Sequence, residues 1–200
     1  MPVYNRIAEL HDDMQTWRRD IHKHPELCFE EVRTAQIVAD KLREWGLEVH
    51  EGIGVTGVVG ILKGQGNSNR TIGIRADMDA LPMQELTGCD HQSIYDGKMH
   101  ACGHDGHTAI LLGAAKYLSE TKNFDGTINF IFQPAEEGGG GADKMVKDGL
   151  FERFPCDAVY GLHNMPDQPK GTFHIRKGTL MASADVAEIT IRGKGGHAAH

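Results

Sequence analysis

The stretch Gly126-Thr-Ile-Asn-Phe-Ile-Phe-Gln-Pro-Ala-Glu-Glu-Gly138 decides the fold. Residues 127–132 form an almost unbroken apolar run with β-branched and aromatic side chains. Such a run is best explained as a strand buried on both faces in the middle of a sheet. Immediately after it come Pro134 and two adjacent carboxylates, Glu136 and Glu137, and the glycines at 138–141 then let the backbone approach a neighbour closely. A core strand that ends in paired acids is the outline of an α/β enzyme site.

Two further strands repeat the pattern. Residues 71–76 lead into Asp77-Met78-Asp79, and residues 158–162 lead into His163. Residues 47–53 and 55–62 also read as strands. Helical spacing appears at 7–21, ending near Pro25, at 30–45 with Gly46 as its cap, at 108–118 and at 142–150. The alternation predicts an α/β fold with a mixed, mostly parallel sheet sandwiched by helices. In that architecture the chemistry sits on loops at the C-terminal ends of strands, and Asp77, Asp79, Glu136, Glu137 and His163 all obey the rule. Residues 186–192 alternate polar and apolar, which predicts a strand with one wet face before the Gly-Lys-Gly-Gly-His loop at 193–197.

Composition narrows the class. The formal charge is −7, and no Lys/Arg run is long enough for a phosphate-binding stripe, so nucleic acid is excluded as an expected partner. No apolar run approaches the roughly 20 residues that a membrane span requires. The N-terminus has no apolar signal core. Cys28, Cys89, Cys102 and Cys156 are scattered without a CxxC pair, which fits a reducing, cytoplasmic setting.

Histidine is abundant, with twelve in the chain, and it concentrates in Met99-His-Ala-Cys-Gly-His-Asp-Gly-His107. A lone Cys is usually a small buried hydrophobe. Cys102, however, is flanked by His100, His104, Asp105 and His107, which is poor core material, so metal ligation by Cys102 and His104 is the better reading. Of the paired glutamates, one is expected to ligate while the other works as general acid/base. Asp77 and Asp79 suit the role of orienting a ligating imidazole. His163 is a candidate through its strand-end position, whereas His100 and His107 stay open. His22, His24, His50, His91 and His174 have no partner in the sequence and are expected at the surface.

These residues also carry a resemblance. Arg75-Ala-Asp-Met-Asp-Ala-Leu-Pro82, the 99–107 cluster, Phe132-Gln-Pro-Ala-Glu-Glu-Gly138, Gly161-Leu-His163 and Gly195-Gly-His-Ala198 resemble the M20 metallopeptidases, in particular the amidohydrolase branch that acts on hippurate and other N-acyl amino acids. The resemblance implies a zinc-exopeptidase-like catalytic domain with two divalent metal ions, zinc, manganese, cobalt or nickel. It implies Cys102, His104, Glu137 and His163 as ligands, Glu136 as the catalytic base, and His197 as a group that binds substrate or the oxyanion. Members of this family are much longer. Residues 1–182 are therefore expected to be the N-terminal part of a catalytic domain, and 183–200 the first strand and loop of an α+β lid or dimerisation domain.

The expected activity is hydrolysis of an N-acyl amino acid, a small-molecule substrate, by a homodimeric full-length protein. Alternatives within the family are a dipeptidase, a carboxypeptidase or an N-acetyldiaminopimelate deacetylase. Outside it stand a thiol hydrolase, with Cys102 as nucleophile and His104 or His107 as base, and a non-catalytic metal-binding module.

Overall fold

In the computed structural model, which describes residues 4–183, 185 and 187–199, the apolar run becomes β4 (Thr127–Gln133), the middle strand of a five-stranded sheet. Its companions are β1 (Glu48–Ile53), β2 (Gly57–Lys63), β3 (Thr71–Asp77) and β5 (Ala158–Gly161), in the spatial order β1-β2-β4-β3-β5. The β3–β4 and β3–β5 ladders are parallel, whereas β1–β2 and β2–β4 are antiparallel. Consequently β2 alone runs against the other strands. The register sets Asp77 beside Gln133 and Arg75 beside Gly161, so β3, β4 and β5 end along one edge.

Both faces of β4 are covered, which is why its sequence shows no polar alternation. Phe130 and Phe132 point to one face, with Val58, Leu62 and Ala76, against Val38 and Leu42 of α3 (Val32–Glu44) and Leu111, Leu112 and Ala115 of α4 (His104–Thr121). Ile131 and Val59 point to the other face, against Met145 of α5 (Gly141–Lys147), Leu150 of α6 (Leu150–Arg153) and Phe154. Burying side chains of this size stabilises the fold by about 1.5–3 kcal/mol each.

Three element boundaries differ from the periodicity. The first helix is split into α1 (Asn5–Glu9) and α2 (His11–Lys23), because Leu10 turns inward to 2% exposure and its N–H bonds Ile7 O rather than continuing the α pattern. The helix expected at 142–150 is likewise two, divided at Gly149, whose φ of 85° is left-handed. Helix α4 begins at His104, earlier than residue 108, because its first turn spends polar side chains on buried carboxylates and so hides from an apolar count. Gly46 caps α3 as expected: its φ is 76°, and the amides of Gly46 and Leu47 close on Arg43 O and Leu42 O.

The chain divides into two units, Met1–Met165 and Pro166–His200. In the second unit the described residues form no helix or strand and are exposed. Of the strand expected at 186–192, Val186 lies outside the described residues, and 187–192 join no ladder. Alternating Ile189 and Ile191 do not make a strand without a neighbour to bond their backbone groups.

Candidate metal and hydrolytic site

The strand-end edge collects Asp77, Asp79, Cys102, His104, Glu136, Glu137 and His163. Asp79 is its organiser. The Nδ1 of His104 lies 2.9 Å from Asp79 O and 3.1 Å from Asp79 Oδ1, and donates to them. Asp79 Oδ2 accepts the Glu137 N–H at 2.9 Å and the Cys28 thiol at 3.4 Å. Burial alone would raise the Asp79 pKa, but the His104 and backbone donors outweigh it and hold the group at about 2.

With Nδ1 committed, His104 presents Nε2 to the site. That atom is buried with no hydrogen-bond partner, and so is Glu137 Oε1. The two stand 3.8 Å apart, and Nε2 is also 3.8 Å from Glu136 Oε2 and 3.6 Å from Asp77 Oδ2. Two unsatisfied buried donors at this spacing fit one divalent cation, whose tetrahedral ligands stand roughly 3.4 Å apart when each bond is about 2.1 Å. The surrounding carboxylates pull the same way: burial lowers the His104 pKa, yet the Asp79 hydrogen bond and the Asp77 charge raise it overall. The place calls for positive charge.

Cys102 Sγ is 3.3 Å from His163 Nε2, and Cys102, His104 and His163 each place a ligand atom within 4.8 Å of the others. His104, Glu136 and Glu137 form a second such group, which shares His104 with the first. Desolvation, then the interaction of the thiol with the Glu137 carboxylate and the Glu136 charge, pushes the Cys102 thiol up to about 12. A nucleophilic cysteine needs the opposite, an electropositive setting. The thiol-hydrolase reading therefore loses its footing, whereas a bound cation would reverse the local sign and deprotonate a ligating thiol.

The paired glutamates differ in exposure. The Glu136 side chain is 39% exposed and that of Glu137 is 20% exposed, so Glu136 is the one open to an incoming molecule. Asp77 is spoken for: Arg75 Nη1 lies 2.7 Å from its Oδ2, and His107 Nδ1 lies 2.6 Å from its Oδ1. His107, left open by the sequence, is thereby locked. Its Nε2 accepts the Asn164 N–H at 3.1 Å, and His163 Nδ1 donates to Asn164 O at 2.7 Å. A chain Arg75–Asp77–His107–Asn164–His163 thus aims His163. Gly103, at φ 95°, permits it, since a Cβ there would collide with Asn164 Oδ1.

Glu31 escaped the sequence reading, where it was only part of a helix start. It is fully buried, and its Oε1 accepts the N–H groups of Ala135, at 2.8 Å, and Phe29, at 3.1 Å, while the Thr56 hydroxyl donates to Oε2. Ala135 and Phe29 are both left-handed, with φ of 50° and 63°, a strained conformation for residues with a Cβ. Glu31 therefore pins the turn that carries Glu136. Burial raises its pKa, against those hydrogen bonds. His22 corrects the surface expectation: it is 6% exposed and bonded on both sides, to Asp105 and Glu85. No sequence signal linked these residues, which lie far apart along the chain. His197 belongs to the second unit, where its Nδ1 accepts the Ala199 N–H at 3.2 Å.

The model of peptidase family M20/M25/M40 matches residues 73–199. The chain is 53% identical over 197 residues to a hippurate hydrolase of Campylobacter jejuni subsp. jejuni, covering 98% of this chain and 51% of that protein. It is 45% identical to thermostable carboxypeptidase 1 of Saccharolobus solfataricus, covering 96% and 49%. Among solved structures, the Bacillus subtilis YXEP protein, described as a dinuclear metal-binding peptidase from the M20 family, superposes with a TM-score of 0.75 at 43% identity, covering 81% of this chain and 45% of that one. The chain spans about half the length of the curated relatives it matches.

Proposed function

The chain belongs to peptidase family M20/M25/M40, and from that premise we propose that it supplies the hydrolytic centre of an amidohydrolase that splits N-acyl amino acids into a carboxylic acid and a free amino acid. The observation that carries the proposal is the pair of buried, partnerless donors, His104 Nε2 and Glu137 Oε1, beside the more exposed Glu136. Cys102, His104, Glu137 and His163 would hold two divalent ions, zinc, manganese, cobalt or nickel. Bound there, such ions supply a Lewis acid and lower the pKa of water.

The protein groups do the rest. Glu136 accepts a proton from the attacking water as the new C–O bond forms. It returns that proton to the nitrogen as the C–N bond breaks. Asp79 fixes the His104 tautomer, the Asp77–His107–Asn164 chain fixes His163, and Glu31 fixes the Glu136 turn. His197 is assigned to substrate or oxyanion binding. Residues 1–182 are assigned to the catalytic domain and 183–200 to the start of a lid or dimerisation domain, in a cytoplasmic homodimer. Among the described residues no helix is long and apolar enough to cross a membrane.

The 45% identity to a carboxypeptidase favours one further reading, a dipeptidase or carboxypeptidase built on the same centre. A panel of N-benzoyl, N-acetyl and indoleacetyl amino acids with dipeptides, assayed on the full-length protein with added metal, separates the two. Preferred turnover of the acyl amino acids supports the proposal, and preferred turnover of dipeptides replaces it with the second reading. Activity that survives complete metal removal overturns both.

A further inference from the structure

A second group of ligand-bearing side chains lies outside the strand-end site. His22, near the end of α2, meets Glu85 and Cys89 from the long loop between β3 and α4, and their ligand atoms lie within 4.8 Å of one another. His22 Nε2 is 3.1 Å from Glu85 Oε1, and Cys89 Sγ is 3.9 Å from the same oxygen. His22 and Glu85 are almost fully buried, at 6% and 1% exposure.

We propose that His22, Glu85 and Cys89 form an auxiliary binding site for a thiophilic divalent cation such as zinc, with the His91 ring beside it. One thiol, one imidazole and one carboxylate are the zinc donor types, and here they come from three separate positions onto one point. His22 is oriented as metal-ligating histidines are: its Nδ1–H donates to Asp105 Oδ2 at 2.9 Å, which leaves Nε2 to face the ion. Arg18 Nε donates to the same Asp105 oxygen at 3.0 Å.

The loop is prearranged. Glu85 Oε2 accepts the Ser93 N–H at 2.7 Å, Gln92 N bonds Cys89 O at 3.0 Å, and Gln92 Oε1 accepts the Gly88 N–H at 2.8 Å. The Thr87 hydroxyl lies 3.3 Å from the Cys89 sulfur. The His91 ring meets the His22 ring edge-on, with centroids 5.2 Å apart. A purely structural His22–Glu85 pair would need neither Cys89 nor His91 at its side. On binding, the ion takes the place of the Nε2 proton of His22 and of the Cys89 thiol proton, and both protons leave to solvent.

The test is a cobalt(II) titration of metal-free protein, followed by thiolate-to-cobalt charge-transfer absorbance and elemental analysis. Cys102→Ser removes the strand-end thiolate and should leave a charge-transfer band with bound cobalt. Adding Cys89→Ser should abolish that band and lower the cobalt content by one ion. Cys89→Ser alone should lower wild-type cobalt content by one ion and leave hydrolysis of N-acyl amino acids unchanged. Circular dichroism checks that each variant is folded. Loss of all thiolate–cobalt absorbance in a folded Cys102→Ser protein overturns the proposal. So does a band that persists in the double variant, or equal cobalt content in wild type and Cys89→Ser.

Discussion

His104 and Asp105 are consecutive residues in the first turn of α4, yet they serve two clusters of opposite condition. Around His104 the donors outnumber their partners: Nε2 and Glu137 Oε1 are buried with nothing to bond. Around Asp105 the charges meet at one oxygen: Oδ2 takes both Arg18 and His22, while Oδ1 is buried without a partner. His22 sits between Asp105 and Glu85, and the Asp105 hydrogen bond, against burial, raises its pKa to about 9. The difference teaches how to tell a centre whose ligand nitrogen is open from one whose imidazole is already bonded at both nitrogens. The first is incomplete without its ions. In the second, His22 is bonded at both nitrogens when protonated, and an ion entering it must displace a proton, so it should bind the more weakly of the two and lose its metal first to a chelator.

The largest effect should break the strand-end cluster functionally without touching its fold. Glu136→Gln is expected to lower turnover of the full-length protein by at least about 10²- to 10⁴-fold while leaving metal content and melting temperature near wild type. Metal lost in step with activity would transfer the ligand role to Glu136. The loop cluster should answer in the opposite way. His22→Leu strands two buried carboxylates, which typically destabilises by about 3–5 kcal/mol, read as a lowered denaturation midpoint. A neutral outcome would mean that those carboxylates have other cations, and the contrast between the clusters would fall.

Glu31→Ala should cost about 2–4 kcal/mol, since it leaves the buried Ala135 amide and the part-buried Phe29 amide of two left-handed residues unpaired. It should also depress turnover, because the Glu136 turn is released, and a stability loss at unchanged turnover would refute the positioning role. His107→Leu cuts the chain that aims His163 and should weaken metal affinity by about 10- to 100-fold, measured against a calibrated chelator. The smallest effect sharpens the loop cluster. Arg18 is 51% exposed, so Arg18→Ala should cost less than about 1 kcal/mol by chemical denaturation although it touches a buried Asp.

Much of this was legible in the residues alone. The apolar run 127–132 announced a central strand because burial on both faces removes any alternation. Asp77, Glu136, Glu137 and His163 announced a shared edge because parallel strands end together. Cys102 and His104 are expected to ligate because polar neighbours make poor core; the structure brings the two together with His163, yet it buries His100, Asp105 and His107 all the same, because carboxylates and hydrogen bonds hold Asp105 and His107 there. These readings rest on local chemistry and on the periodicities that helices and strands impose on any chain. What only the tertiary structure decided is which distant groups meet. Glu31 reaches Ala135 across the fold, His107 meets Asp77 and Asn164, and His22 lies buried between Asp105 and Glu85 rather than at the surface. Each is a polar side chain with no pattern around it. A buried hydrogen bond between residues far apart in sequence depends on the packing that joins them, and only the folded chain specifies that packing.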